Sequence, residues 1–179
     1  SSVCRCNLGV ILSLLGKQDE AVRAYATSEA IIEQVAPGNP HTAIQLTNLG
    51  STYLASGRFQ DALRASRRVI ASTSNEQTLH NPAMISARSS ALRNLAMALN
   101  ATGETCQAIE ALKEAVTIGD TCSRVTMGEQ GQHLYELGSL YSSAGNTHDA
   151  ELCLIRAEAT LEHASLGEDV EHRTMVLTQ

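Results

Sequence analysis

The sequence predicts an all-α protein, a solenoid of stacked helical hairpins. Three observations lead there. A sixteen-residue pattern occurs four times without internal gaps. Apolar residues make up 43% of the chain and aromatics only 3%, so the core is built from Ala, Leu, Ile, Val and Met, which suits closely packed helices better than sheets. Only three prolines interrupt 179 residues.

The four copies read NLGVILSLLGKQDEAV (Asn7–Val22), NLGSTYLASGRFQDAL (Asn48–Leu63), NLAMALNATGETCQAI (Asn94–Ile109) and ELGSLYSSAGNTHDAE (Glu136–Glu151). In each, a Leu precedes a tiny residue, Gly9, Gly50, Ala96 or Gly138, which lets a neighbouring helix backbone approach closely. Seven residues on stands a glycine, Gly16, Gly57, Gly103 or Gly145, after the last apolar position of the helix. Glycine tolerates positive φ without steric cost, so this residue is the expected helix stop. A short polar turn follows, and Asp19, Asp61 and Asp149, or Gln107, open the next helix near its positive end. Five residues beyond the glycine comes Ala21, Ala62, Ala108 or Ala150, expected to pack the second helix on the first. Small or apolar residues continue at helical spacing: Tyr25 and Ser28, Ser66 and Val69, Leu112 and Ala115, Leu154 and Ala157.

The stop glycines are 41, 46 and 42 residues apart, which divides the chain into units near 1–38, 39–80, 81–122 and 123–165. Residues 166–179 read as a partial fifth unit or a capping helix. Neither helix of a hairpin buries its apolar face alone, so adjacent hairpins must stack. The chain opens inside a helical pattern, which reads as a piece of a longer protein.

This pattern resembles the tetratricopeptide repeat, whose signature joins a Leu-Gly pair, a downstream Tyr and an Ala. Tyr53 and Tyr141 take the Tyr place, with Leu12 and Leu99 in the other copies; Arg5, Leu46, Leu92 and Leu134 take the place of the family's Trp. The common repeat is about 34 residues, and the longer spacing here resembles the repeats of kinesin light chains and related scaffolds. The turn Gly38-Asn39-Pro40-His41 and the Asn81-Pro82 start of the third unit resemble that subclass, and Leu166–Val176 resembles the start of a fifth repeat. The resemblance implies a right-handed superhelix, with first helices lining a concave groove and second helices outside, and a role as an adaptor that binds other proteins.

In that frame Leu8, Leu49, Leu95 and Leu137 point into the stack. Asn7, Asn48 and Asn94 lie at the groove rim, with Glu136 in the fourth place. One residue back lie Cys6, Thr47, Arg93 and Tyr135; a turn onward lie Val10, Ser51, Met97 and Ser139, then Ser13, Leu54, Asn100 and Ser142. An Asn amide both donates and accepts, so the candidate peptide-binding set is Asn7, Thr47, Asn48, Ser51, Arg93, Asn94, Met97, Asn100, Tyr135 and Ser139. The same amides could instead bridge neighbouring helices, and Arg93 and Glu136 could pair with each other. Cys6, Thr47 and Tyr135 stand where a carboxylate-clamping member of the family would carry cations, so that mode is not expected.

No catalytic, cofactor or metal site is expected. Cys4 and Cys6 point about 200° apart on a helix and cannot share a metal. The six histidines fall in no metal-binding frame, and every glycine run is explained by the repeat rather than by a phosphate loop. Arg64, Arg67 and Arg68 cluster on a second helix and read as a solvated convex face. Net charge is −6; residues 1–90 hold eight Lys/Arg and six Asp/Glu, residues 91–179 five and thirteen. Such a surface argues against nucleic acid as partner. No apolar run approaches the roughly 18 residues of a membrane span. Five cysteines without framework spacing read as reduced thiols in a cytoplasmic protein. The expected partner is a peptide or helical segment of another protein, with self-association through the solenoid ends. The other expectations are an architectural spacer in a large assembly and the sensor array of a signalling NTPase.

Overall fold

The computed structural model describes residues 2–35, 40–74, 81–122 and 125–177, with side chains over those ranges except 2–4, 6, 28, 29, 31–35 and 166–177. Within them the chain forms eight helices and no strand. They are α1 (Ser2–Leu14), α2 (Gln18–Val35), α3 (Pro40–Ala55), α4 (Phe59–Ser72), α5 (Pro82–Ala101), α6 (Thr105–Thr121), α7 (Met127–Ser143) and α8 (Thr147–Leu177). They pair as hairpins in chain order. Each later first helix then packs on the preceding second helix: α3 on α2, α5 on α4, and α7 on α6. First helices α3 and α5 also lie side by side. The expectations for Cys4, Cys6, Ser28, Gly38, Asn39 and His80, and for the side chains of Leu166–Val176, lie outside the described residues.

Every hairpin turns by the same device. Gly16, Gly57, Gly103 and Gly145 carry φ of 74°, 71°, 89° and 80°, and no other glycine or non-glycine described has positive φ. At each, the glycine N–H bonds the carbonyl three residues back and the next N–H bonds the carbonyl five back, as in Gly57 to Leu54 (3.0 Å) and Arg58 to Tyr53 (2.8 Å). This double bond satisfies two carbonyls that the helix end would otherwise leave free. The next helix then begins with Asp19, Asp61 or Asp149 in its first turn in three of the four hairpins.

The small residues sit where helices meet. Ala21, Ala62 and Ala108 are wholly buried and Ala150 is 4% exposed. A Cβ on Gly9 would come within 2.9 Å of the Tyr25 ring. One on Gly138 would meet Leu154 Cγ at 2.9 Å and the Ala150 carbonyl at 3.1 Å. Gly50 faces Ser66 of its own hairpin and Asn94 of the next, and Ala96 fills the same place in the third copy with no exposure. Leu46, Leu92 and Leu134, in the place of the family's Trp, are all buried, while Arg5 is exposed.

Two of the four inward leucines behave differently from expectation. Leu49 and Leu137 are buried, but Leu8 is 49% exposed. Among the described residues no helix covers that side of α1, whereas α2 covers α3 and α6 covers α7. Leu95 is only partly buried; it lines an outer groove with Arg67, Ile70 and Cys106. Leu154 is likewise half-exposed beside Leu161 and Tyr135.

Helix starts are fixed locally. Asn81 caps α5, its Oδ1 accepting from the N–H groups of Ala83 (3.0 Å) and Met84 (3.4 Å), with Pro82 in the first turn. Thr126 and Glu129 form a capping box at α7.

Candidate functional site

The candidate groove residues do not all meet. Ser51, Arg93, Asn94, Met97 and Asn100 gather around one cavity of about 430 Å³ between α3 and α5. Leu54, Ala55, Phe59 and Ala101 complete its wall, so the cavity is largely apolar with a few polar groups at its edge. That is the composition and size range of a pocket able to hold one side chain or a small ligand group.

Asn94 serves this cavity from behind. It is 1% exposed. Its Nδ2 donates to the Thr47 carbonyl (3.0 Å) and to Ser51 Oγ (3.0 Å), and its Oδ1 accepts from the Ser51 hydroxyl (3.2 Å). The amide therefore bridges the second and third hairpins, the structural alternative the sequence left open. Thr47 is buried beside it, its hydroxyl donating to the carbonyls of Ala43 (2.8 Å) and Ala87 (3.4 Å). Asn48 is half-buried and outside the cavity wall, and Asn7 is exposed on α1.

Arg93 and Glu136 pair across the third and fourth hairpins. Arg93 Nε lies 2.8 and 3.0 Å from the two carboxylate oxygens and Nη2 lies 2.5 Å from Oε1, while Gln132 adds a bond to Oε1 at 3.2 Å. The side chains are 30% and 10% exposed. The pair neutralises the one charge at the cavity wall and ties α5 to α7.

Tyr135 belongs elsewhere. It is 57% exposed and lines a second cavity, of about 550 Å³, with Leu154 and Leu161 of α8 and the acidic Glu158 and Glu162. Ser139 is exposed on α7 and lines neither cavity.

Two polar joints escaped the sequence reading. Arg88 reaches back from α5 to the end of α4, donating to the Ile70 carbonyl (3.1 Å) and Ser74 Oγ (2.9 Å), and bonds Glu114 of α6. Asp120 of α6 accepts from Gln130 of α7 (2.9 Å) and from Arg156 of α8 (2.9 and 3.1 Å). Gly119 makes room for this: a Cβ there would overlap Gln130. The only available signal was opposite charge at distant positions, which sequence spacing does not decode. The capping box also went unread, although Thr126 and Glu129 stand at its spacing and could have revealed it.

The chemistry around the site is quiet. Among the described residues no group of three or more His, Cys, Asp or Glu could hold a metal ion. Cys106, Cys122 and Cys153 are free thiols, and burial pushes the Cys153 thiol up, away from reactivity. Burial likewise raises the Tyr141 hydroxyl. Arg64, Arg67 and Arg68 are exposed on α4; Arg64 pairs with Asp61, which also holds Arg58 at 2.5 Å, and Arg58 stacks 4.7 Å over the Tyr53 ring. Among the described residues no helix is long and apolar enough to cross a membrane.

Stacked helical hairpins with positive-φ glycine stops and alanine-packed second helices define an α-solenoid repeat protein. Residues 2–74 match the tetratricopeptide repeat family model. The same stop and packing geometry continues through Ala150, so the later hairpins share the architecture of the matched segment. Repeats of this kind generally mediate contacts between proteins, on a fold that typically serves as a non-enzymatic scaffold.

Among solved structures the chain is similar to BtubC (BKLC) from P. vanneervenii, with a TM-score of 0.79 and 17% identity, covering 90% of this chain and 63% of that one. It is also similar to the MamA RS-1 ArsTM double mutant, with a TM-score of 0.63 and 15% identity, covering 91% and 76%. At these identities the likeness carries the fold alone. The chain thus spans less than two thirds of BtubC. No curated protein matches the sequence.

Proposed function

We propose that this chain is a protein-interaction module that holds a peptide or helical segment of a partner along the face formed by α3, α5 and α7. The observation that carries this reading is the apolar cavity between α3 and α5, edged by Ser51, Met97 and Asn100. Asn100 Oδ1 accepts from Thr105 (3.2 Å), and the Nδ2 of the same amide is suited to bonding a partner's main-chain carbonyl. Arg93 is neutralised by Glu136, so the cavity favours an apolar anchor over a charged one. The long repeat spacing supports a kinesin light chain-like subclass, and the free thiols fit a cytoplasmic setting.

A selection of random peptides on the chain, followed by titration of the enriched sequence, tests the site. Met97→Glu is expected to weaken binding at least about tenfold, on the order of 1.4 kcal/mol, with helicity retained. Arg67→Ala on α4 is expected to leave it unchanged. Equal binding by the Met97 variant would remove the cavity from the site while leaving the fold intact.

A second reading, that the repeats act as a spacer or self-associate, is favoured by apolar surface at both ends. Leu8, Ile11, Leu14 and Leu15 of the first hairpin and Leu154, Ile155 and Leu161 of α8 are all exposed. Sedimentation across concentration separates this reading: a fixed monomer mass argues against it.

A further inference from the structure

His133 is one of six scattered histidines in the sequence, but the fold places it at the joint between the third and fourth hairpins. It lies on α7 with 2% exposure, and its Nδ1 has no hydrogen-bond partner among the described residues. The charged groups acting on it are Glu129 and Glu136 of its own helix and Arg93 of α5. Both carboxylates are already engaged. Glu129 accepts from the N–H and hydroxyl of Thr126 (both 3.0 Å) at the start of α7, and Glu136 holds Arg93. Nearby, Asp120 of α6 and Arg156 of α8 are bonded to each other, and Asp120 also accepts from Gln130 of α7.

We propose that this joint is acid-sensitive, because protonation of His133 and the Arg93–Glu136 bridge exclude one another. A buried imidazolium needs a counter-charge, and a buried cation without one is strongly disfavoured. To gain one, His133 must draw Glu136 from Arg93, untie Glu129 from the helix start, or open α7 to water. Each route loosens α7 from its neighbours. Burial is also the main influence holding His133 below the ordinary histidine value of 6.5. The unfolded state then binds the proton more readily than the folded state. The joint is therefore fully stable above about pH 6.5 and weakens as pH falls below it. Arg93 also lines the cavity between α3 and α5, so the same event alters that wall.

Hydrogen exchange and histidine NMR titration of the full chain test this. Amides of α7, corrected for intrinsic exchange, are expected to open up to about tenfold more often near pH 5.5 than near pH 7.5, the most that one such group supplies over that interval. Amides of α3 should not respond. His133→Gln should remove the response, and Arg93→Gln should raise the His133 pKa by freeing Glu136 and deleting a cation. Titration of His133 at or above 6.5, no shift in the Arg93 variant, or the same acid response in His133→Gln would each overturn the proposal. Should His133→Gln not fold, the titrations of the unmodified chain and of Arg93→Gln decide it.

Discussion

Glycine serves two separate purposes in this chain, and the two respond to mutation for different reasons. At Gly103 the surroundings are open, with nothing within 4 Å of an added Cβ, but φ is +89°. Gly103→Ala therefore places an L side chain in a left-handed conformation, costing about 1–2 kcal/mol. At Gly138 the backbone is ordinary helix and the space is full. Gly138→Ala drives a methyl against Leu154 and the Ala150 carbonyl, with an overpacking cost of about 1–3 kcal/mol. Urea unfolding distinguishes them by rescue. Trimming Leu154 to Ala in the Gly138 variant should recover part of the loss, and no neighbouring change should recover the Gly103 variant. Failure of that contrast would refute the separate roles.

At the scale of helices, the joint between the second and third hairpins depends on one amide. Asn94 lies between Thr47 and Ser51, facing Gly50, whose missing side chain leaves space for Nδ2. Removing it strands the Thr47 carbonyl in a buried site, so Asn94→Ala is expected to destabilise by about 1–3 kcal/mol. Ser51→Ala should cost less, and the double variant less than the sum, because the two groups share a bond. Strict additivity in a denaturation cycle would show that the Asn94–Ser51 bond contributes nothing. The motif placed Asn48 and Asn94 at one register position, and both were candidates for the groove. Only packing separates them: Asn94 has the α3 backbone against it, whereas Asn48 lies half-buried outside the cavity.

Across the whole molecule, stability is built from nearest-neighbour joints, as in other repeat arrays. Helix α5 packs more extensively than its neighbours do. It packs on α3, α4 and α6 and reaches α7 through Arg93. Amide protection at neutral pH is accordingly expected to peak in α5 and decline toward α1. Greater protection in α1 than in α5 would contradict this picture. The four hairpins were legible from Asn7 to Glu151, because each is specified by residues within one unit. A positive-φ glycine, a buried alanine and a cap act over a few residues, and their spacing is visible in the sequence. The Arg93–Glu136 pair was legible for a related reason, since opposite charges stood at adjacent register positions of successive copies.

By itself the sequence determined the helical hairpins, their stops at Gly16, Gly57, Gly103 and Gly145, and the close contacts at the alanines. Those features follow from backbone sterics and side-chain size, which are local. The tertiary structure alone decided that Asn94 is consumed in a joint, that Tyr135 faces a different cavity from Met97, and that His133 is buried beside two occupied carboxylates. Such outcomes depend on how far each hairpin turns against the next. That turn is set by the packing of many side chains from different repeats, and no single spacing encodes it.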